Sequence, residues 1–180
     1  ADTVDSSILD RLDVFISSTS TDLAAYRLAA RDIVLGLDWH PVAQEYFGAH
    51  HLPTVAACRE FVARSHVVIL ILAFRRGEVP SPEAGGDGVL SYTAHEIADA
   101  KRLGKPILAF YAEDTWPGKL WEAHDEGRAW VESFRKGVNR PAVFFGWEGD
   151  EYGPYKLERF KSLVRQELLR FVLELTRKGL

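Results

Sequence analysis

Five short runs of apolar, β-prone residues alternate along the chain with stretches in which apolar side chains return at helical spacing. The first run is Leu12 to Ile16, Leu-Asp-Val-Phe-Ile, which reads as a strand. Ser-Ser-Thr-Ser-Thr-Asp follows, and then Leu23, Tyr26, Ala30, Ile33, Val34 and Leu37 recur with the period of a helix capped by Thr21 or Asp22. His40 to Gln44 is a second strand, weakened by Pro41, which cannot donate a ladder hydrogen bond. After a loop over 45–52, Pro53 is suited to open a helix running to about Arg64. His66 to Ala73 is a continuous apolar run, the pattern of a strand covered on both faces.

A polar loop rich in Gly and Pro extends from Arg75 to about Leu90. Helix returns from Ser91 to Leu103, Gly104 ends it, and Lys105 to Tyr111 is a fourth strand. A helix around Lys119 to Lys136, a strand at Pro141 to Phe145 and a long helix from Tyr155 to Arg177 complete the chain. Strands alternating with helices imply right-handed crossovers and a parallel sheet. The expected architecture is a flavodoxin-like α/β fold with five strands in the order 2-1-3-4-5. Its ligand crevice then lies where the order reverses, between the first and third strands. The loop after Ile16, the loop after Ala73 and the helix start at Ser91 are expected to converge there.

Composition narrows the class. At 180 residues, 47% hydrophobic and 27% charged, the chain fits one globular domain over 1–180, with 1–11 as a flexible lead-in. The absence of methionine suggests either a removed initiator or a piece of a longer chain. A net charge of −4 and a pI near 5.9 argue against a surface that tracks nucleic-acid phosphates. No stretch approaches the roughly 18 apolar residues of a membrane helix, and the polar N-terminus lacks a signal-peptide core, so a cytoplasmic protein is expected. Cys58, the single cysteine, falls within a helical apolar pattern and reads as a buried packing residue.

The expected crevice receives Ser17, Ser18 and Thr19 from the first strand, Arg75 and Arg76 from the third, and Ser91, Tyr92 and Glu96 from the helix beyond. Hydroxyls and open amides at a helix start suit phosphate oxygens, and arginine forks suit them too. A carboxylate beside a sugar carbon can stabilise or attack an oxocarbenium-like centre. The set fits a nucleotide and cleavage of an N-glycosidic bond. Plainer readings stand beside it: a turn and N-cap at Ser17 to Thr21, a solvated pair at Arg75-Arg76, and a capping box Thr93-Ala-His-Glu96 in which the carboxylate serves its own backbone. His50-His51 lacks any metal-ligand spacing, so no metal is expected. No Walker or G-x-G-x-x-G motif and no G-x-S-x-G elbow is present.

Asp13-Val-Phe-Ile-Ser-Ser-Thr19, Asp22-Leu23, Glu45-Tyr46-Phe47, Ser91-Tyr92-Thr93 with Glu96, and Leu103-Gly-Lys-Pro106 together resemble the TIR-like family known as domain of unknown function 4062. Such domains often stand at the N-terminus of STAND-type NTPases. The likeness spans roughly residues 12–112. It implies membership of the superfamily of TIR domains and nucleoside deoxyribosyltransferases, whose enzymes carry a glutamate on the helix after the third strand. By that resemblance Glu96 is catalytic and contacts the ribose of NAD or a nucleoside, with Phe15 to Thr19 lining the pocket. NAD or a related nucleotide is then a substrate, with no cofactor required. The setting implied is prokaryotic defence or cell-death signalling, with self-association or a STAND-type NTPase module as partner. Many TIR-like domains are adaptors, which leaves a non-catalytic interaction or nucleotide-sensing module as the alternative.

Overall fold

A computed structural model describes residues 11–19, 22–43, 53–123, 125–138, 141–150, 153–154 and 156–178. Five strands form one parallel sheet in the order β2-β1-β3-β4-β5: β1 Asp13–Ser18, β2 His40–Val42, β3 Val67–Leu72, β4 Ile107–Ala112 and β5 Ala142–Phe145. The helices between and after them are α1 Ala24–Gly36, α2 Val55–Arg64, α3 Tyr92–Arg102, α4 Asp125–Gly137 and α5 Glu158–Arg177. A small antiparallel pair, β6 Gly149–Asp150 and β7 Gly153–Pro154, precedes α5 and has no counterpart in the sequence reading.

The unbroken apolar run dictates the centre of the sheet. Every residue of β3 is buried, and its two neighbours are parallel. Alternate side chains leave a strand on opposite faces, so β3 feeds two cores. Val67, Ile69 and Ile71 join the core that includes Val34 of α1 and Phe160 of α5. Val68, Leu70 and Leu72 join Val62 of α2 and Ile97 of α3. Pro41 is tolerated because β2 lies at the edge of the sheet, with β1 as its one partner among the described residues.

Several boundaries move. The largest consequence is at β1, which runs two residues beyond Ile16 because Ser17 and Ser18 pair with Leu70 and Ile71 of β3. Leu23, not Asp22, is the N-cap residue of α1, with no side-chain cap bond among the described residues, and Thr21 lies outside them. Thr54, not Pro53, opens α2, its hydroxyl accepting from the Ala57 amide at 3.1 Å. The helix expected from Lys119 begins only at Asp125, after a 3-10 turn at Gly118–Leu120. A pair of backbone amides, Arg159 and Phe160, donates to the Glu148 carboxylate at 2.8 and 2.7 Å, which holds the start of α5.

Candidate functional site

The period of two that builds β1 also separates its hydroxyls. Phe15 and Ser17 face the α2–α3 side, and Ile16 and Ser18 face the α1–α5 side. Ser17 therefore reaches α3, where its hydroxyl donates to Glu96 Oε2 at 2.5 Å. Ser18 meets α1 instead: Arg27 Nη1 donates to its carbonyl at 2.9 Å and its hydroxyl at 3.0 Å. Two adjacent serines thus anchor the two helical layers to one strand end.

Glu96 is not a cap. The N-cap of α3 is Ser91, whose hydroxyl accepts from the Ala94 amide at 3.2 Å. The helix begins two residues earlier than a Thr93 box requires, because the Tyr92 amide is already committed to the Glu78 carbonyl at 2.9 Å. Glu96 then lies in the second turn, and its carboxylate goes across to β1. Its exposure is 1% and that of Ser17 is 0%, so the pair is closed to solvent. Removing a carboxylate from water is costly unless donors replace the water, and the Ser17 hydroxyl is one such donor.

The surroundings share that burial. Tyr92 is buried beside Glu96, and burial first, then its neighbours Cys58, Glu78 and Glu96, push its phenol above the ordinary value. Cys58, on α2, is pushed up to about 12 by burial, with Glu96 and Asp99 adding to it. The thiol is protonated and inert, in keeping with the packing role expected of it. Asp99, one turn beyond Glu96, is held by Arg59 at 3.1 Å and Arg102 at 3.3 Å.

The loops at the C-terminal ends of β1 and β3 adjoin this pair. A Cβ on Gly77 would lie 2.8 Å from Thr19 Cγ2, and Gly77 has φ +86, so only glycine lets the two loops close on each other. Thr19 donates its hydroxyl to Asp22 Oδ1. Asp22 Oδ2 is buried without a hydrogen-bond partner. Burial is the main reason its carboxyl is pushed above the usual range, and the Arg75 charge works in the opposite direction.

Arg75 and Arg76 are half-buried, and the bonds of their side chains lead away from Glu96, those of Arg75 to the loop before α4 and those of Arg76 to the loop before α3 and to α4 itself. Arg75 Nε donates to the Leu120 carbonyl at 3.0 Å, the Arg76 amide to Glu122 Oε2 at 3.1 Å, and the Arg76 guanidinium to the Val89 carbonyl while lying over Trp130. Phe15 is fully buried in the α2–α3 core. The structure thus joins Ser17, Glu96 and Tyr92 in one group, and Thr19 and Arg75 around Asp22 in a second. It sends Ser18 to the far face and keeps Ser91 as a buried cap. Asp22 and Arg27 are the polar residues that sequence reasoning did not bring to the site. The period-two pattern, had it been carried through Ser18, would have pointed to a partner on α1.

Among the described residues no three His, Cys, Asp or Glu side chains gather in a way that could hold a metal ion. His50 and His51 lie outside those residues, as do Glu45, Tyr46 and Phe47. Among the described residues no helix is long and apolar enough to cross a membrane.

A parallel sheet in the order 2-1-3-4-5, with helices on both faces, defines a TIR-like α/β fold. The model for Domain of unknown function (DUF4062) matches residues 13–171, and the chain belongs to that family. Among solved structures it is similar to the TIR domains of the activated Roq1 resistosome, described as directly recognizing the pathogen effector XopQ. The TM-score is 0.53 and the identity 12%, over 89% of this chain and 99% of that one. A lesser similarity is to the metal-soaked Flv1 flavodiiron core from Synechocystis sp. PCC6803, with a TM-score of 0.43 and 11% identity over 90% of this chain and 36% of that one. No curated protein matches.

Proposed function

We propose that this domain cleaves or transfers at the N-glycosidic bond of NAD or a related nucleotide, with Glu96 as its working carboxylate. The observation that carries the reading is the Ser17–Glu96 hydrogen bond at the point where strand order reverses. A fully buried carboxylate there contributes little that an apolar side chain would not supply to stability, which favours a role in binding or chemistry at the crevice. Glu96 is not engaged in a cap, and a ligand at this point would take the place of the Ser17 hydroxyl on its Oε2.

The chemistry asks little of the protein. When the bond between the ribose anomeric carbon and the nicotinamide nitrogen breaks, the electron pair goes to the pyridine nitrogen and the base leaves neutral. Positive charge develops on the anomeric carbon and ring oxygen, where a carboxylate stabilises it. Water, or another hydroxyl acceptor, adds to the carbon and gives up its proton. Tyr92 and Thr19 would border the sugar and phosphates, and Arg75 would supply a cation on turning away from Leu120.

The closed Ser17–Glu96 pair describes a resting state, and assembly is the proposed means of opening it. Leu28 and Leu35 on α1, with Leu169 and Leu173 on α5, are large exposed apolar side chains on the two packed outer helices. Copies of this chain would pack through that surface, much as the Roq1 TIR domains belong to an activated resistosome. The setting we propose is a cytoplasmic effector in prokaryotic defence or cell-death signalling, coupled to a STAND-type NTPase module. The same exposed leucines support a second reading, a non-catalytic interaction or nucleotide-sensing module. Incubation with NAD, NADP and nucleosides separates the two. Release of free base by wild type but not by Glu96→Gln supports the enzyme, and no release from any of them supports the module.

A further inference from the structure

A second candidate site lies away from Ser17 and Glu96, at the other half of the sheet. There the C-terminal ends of β4 and β5 meet α4 around a cavity of about 570 Å³, within the roughly 300–1,000 Å³ of small-molecule sites. Its walls include four aromatic residues, Phe74, Tyr111, Trp121 and Phe144. Phe74 and Trp121 are stacked with centroids 4.0 Å apart. Phe144 stands across from Tyr111 at 83°, with 57% of its surface exposed and so open to a ligand ring.

One face of α4 supplies the charge. Arg128, Val131, Glu132, Arg135 and Lys136 line the cavity at helical spacing, with Asp114 from the loop after β4. Glu132 is neutralised by Lys136 at 3.1 Å, so the two arginines face one remaining carboxylate. Arg135 is the more telling of them. Its guanidinium lies 4.8 Å from the centroids of both Phe74 and Tyr111. Its Nη2 donates to the Ala112 carbonyl at 2.6 Å, but Nε is buried with no acceptor. A desolvated cation with an unused donor, set among aromatic faces, lacks an anionic acceptor. Arg128 Nε is fixed on the Glu122 carbonyl at 2.8 Å, and its Nη1 keeps only a loose, solvent-exposed pair with Asp125 at 4.0 Å, which an anion at the cavity mouth would displace.

We propose that this cavity binds a planar aromatic anion, its ring against Phe144 and Tyr111 and its anionic group on Arg135 and Arg128. The site is independent of the Glu96 chemistry, and its ligand need not be the substrate.

Anilinonaphthalene sulfonate is a suitable probe, because its fluorescence rises on burial. N-phenylnaphthylamine is the same ring system without the sulfonate. We expect saturable one-to-one binding of the sulfonate, about tenfold tighter than that of the neutral amine. Arg135→Gln and Arg128→Gln should each weaken it about tenfold, and Glu96→Gln should leave it unchanged. Arg128→Gln guards against loss of fold in Arg135→Gln, since about half of the Arg128 side chain is exposed to solvent, 52%. Equal binding of sulfonate and amine, unchanged affinity in Arg128→Gln, or an equal loss in Glu96→Gln would each overturn the proposal.

Discussion

Replacing Ser17 by alanine isolates the contact on which the site rests. The hydroxyl is fully buried and donates to a buried carboxylate at 2.5 Å. Loss of one oxygen leaves almost no cavity, so the cost is that of the hydrogen bond and of a carboxylate oxygen left short of a donor. Hydrogen bonds to charged acceptors contribute about 1.5–3 kcal/mol, and we expect Ser17→Ala to lower stability by about 2 kcal/mol. In a domain of this size each kcal/mol moves Tm by about 2–4 °C, which predicts a fall of about 4–8 °C. The same change in a Glu96→Gln background should cost about 1 kcal/mol less, because a neutral amide suffers less from losing the donor. Urea and thermal unfolding of the four proteins complete the cycle. A Ser17→Ala protein within about 0.5 kcal/mol of wild type, or the same loss in both backgrounds, would refute the claim that this hydroxyl holds the carboxylate.

Three other perturbations follow from the same geometry. Asp22→Asn should stabilise the domain near pH 7: burial raises the native carboxyl, so wild type binds the proton more tightly when folded and loses stability as pH rises through the native value. The two unfolding curves should converge below about pH 4, and an asparagine variant less stable at pH 7 would contradict this. The Cys58 thiol, raised to about 12, should resist alkylation at pH 8 until the protein unfolds. Its contribution to stability is complete below the ordinary thiol value and is lost as pH climbs toward 12, and rapid native labelling would count against its burial. Gly77→Ala should cost about 1–2 kcal/mol from the left-handed backbone alone, with the Thr19 contact adding to it; an unchanged midpoint in urea would show that the two loops do not close as described.

The architecture was largely legible because it depends on patterns local to the chain. An unbroken run from Val67 to Leu72 can be satisfied only between two covered faces, and alternation with helices sets the crossovers. Site geometry depended on finer points. Reading β1 as ending at Ile16 put Ser17 and Ser18 together in a loop, whereas pairing with Leu70 and Ile71 extends the strand and sends them to opposite layers. Thr93-Ala-His-Glu96 matched a capping box, but Ser91 offered an equally good cap, and the Tyr92–Glu78 backbone bond from the preceding loop decided between them. Asp22 was read as a helix cap because nothing within a few residues reveals that Arg75 and Glu122 lie beside it. The cavity at α4 is assembled from residues as far apart as Phe74 and Phe144, a separation no periodicity encodes.

The central claim is that Glu96 performs chemistry at a site closed in the resting domain and opened by assembly. Nicotinamide release from NAD, followed per protomer over a wide range of protein concentration, tests it most directly. We predict a rate that rises with concentration in wild type, falls about a hundredfold or more in Glu96→Gln while the fold is kept, and stays at its dilute value in Leu169→Glu, where the exposed surface of α5 is charged. Equal release by wild type and Glu96→Gln at every concentration would contradict the account.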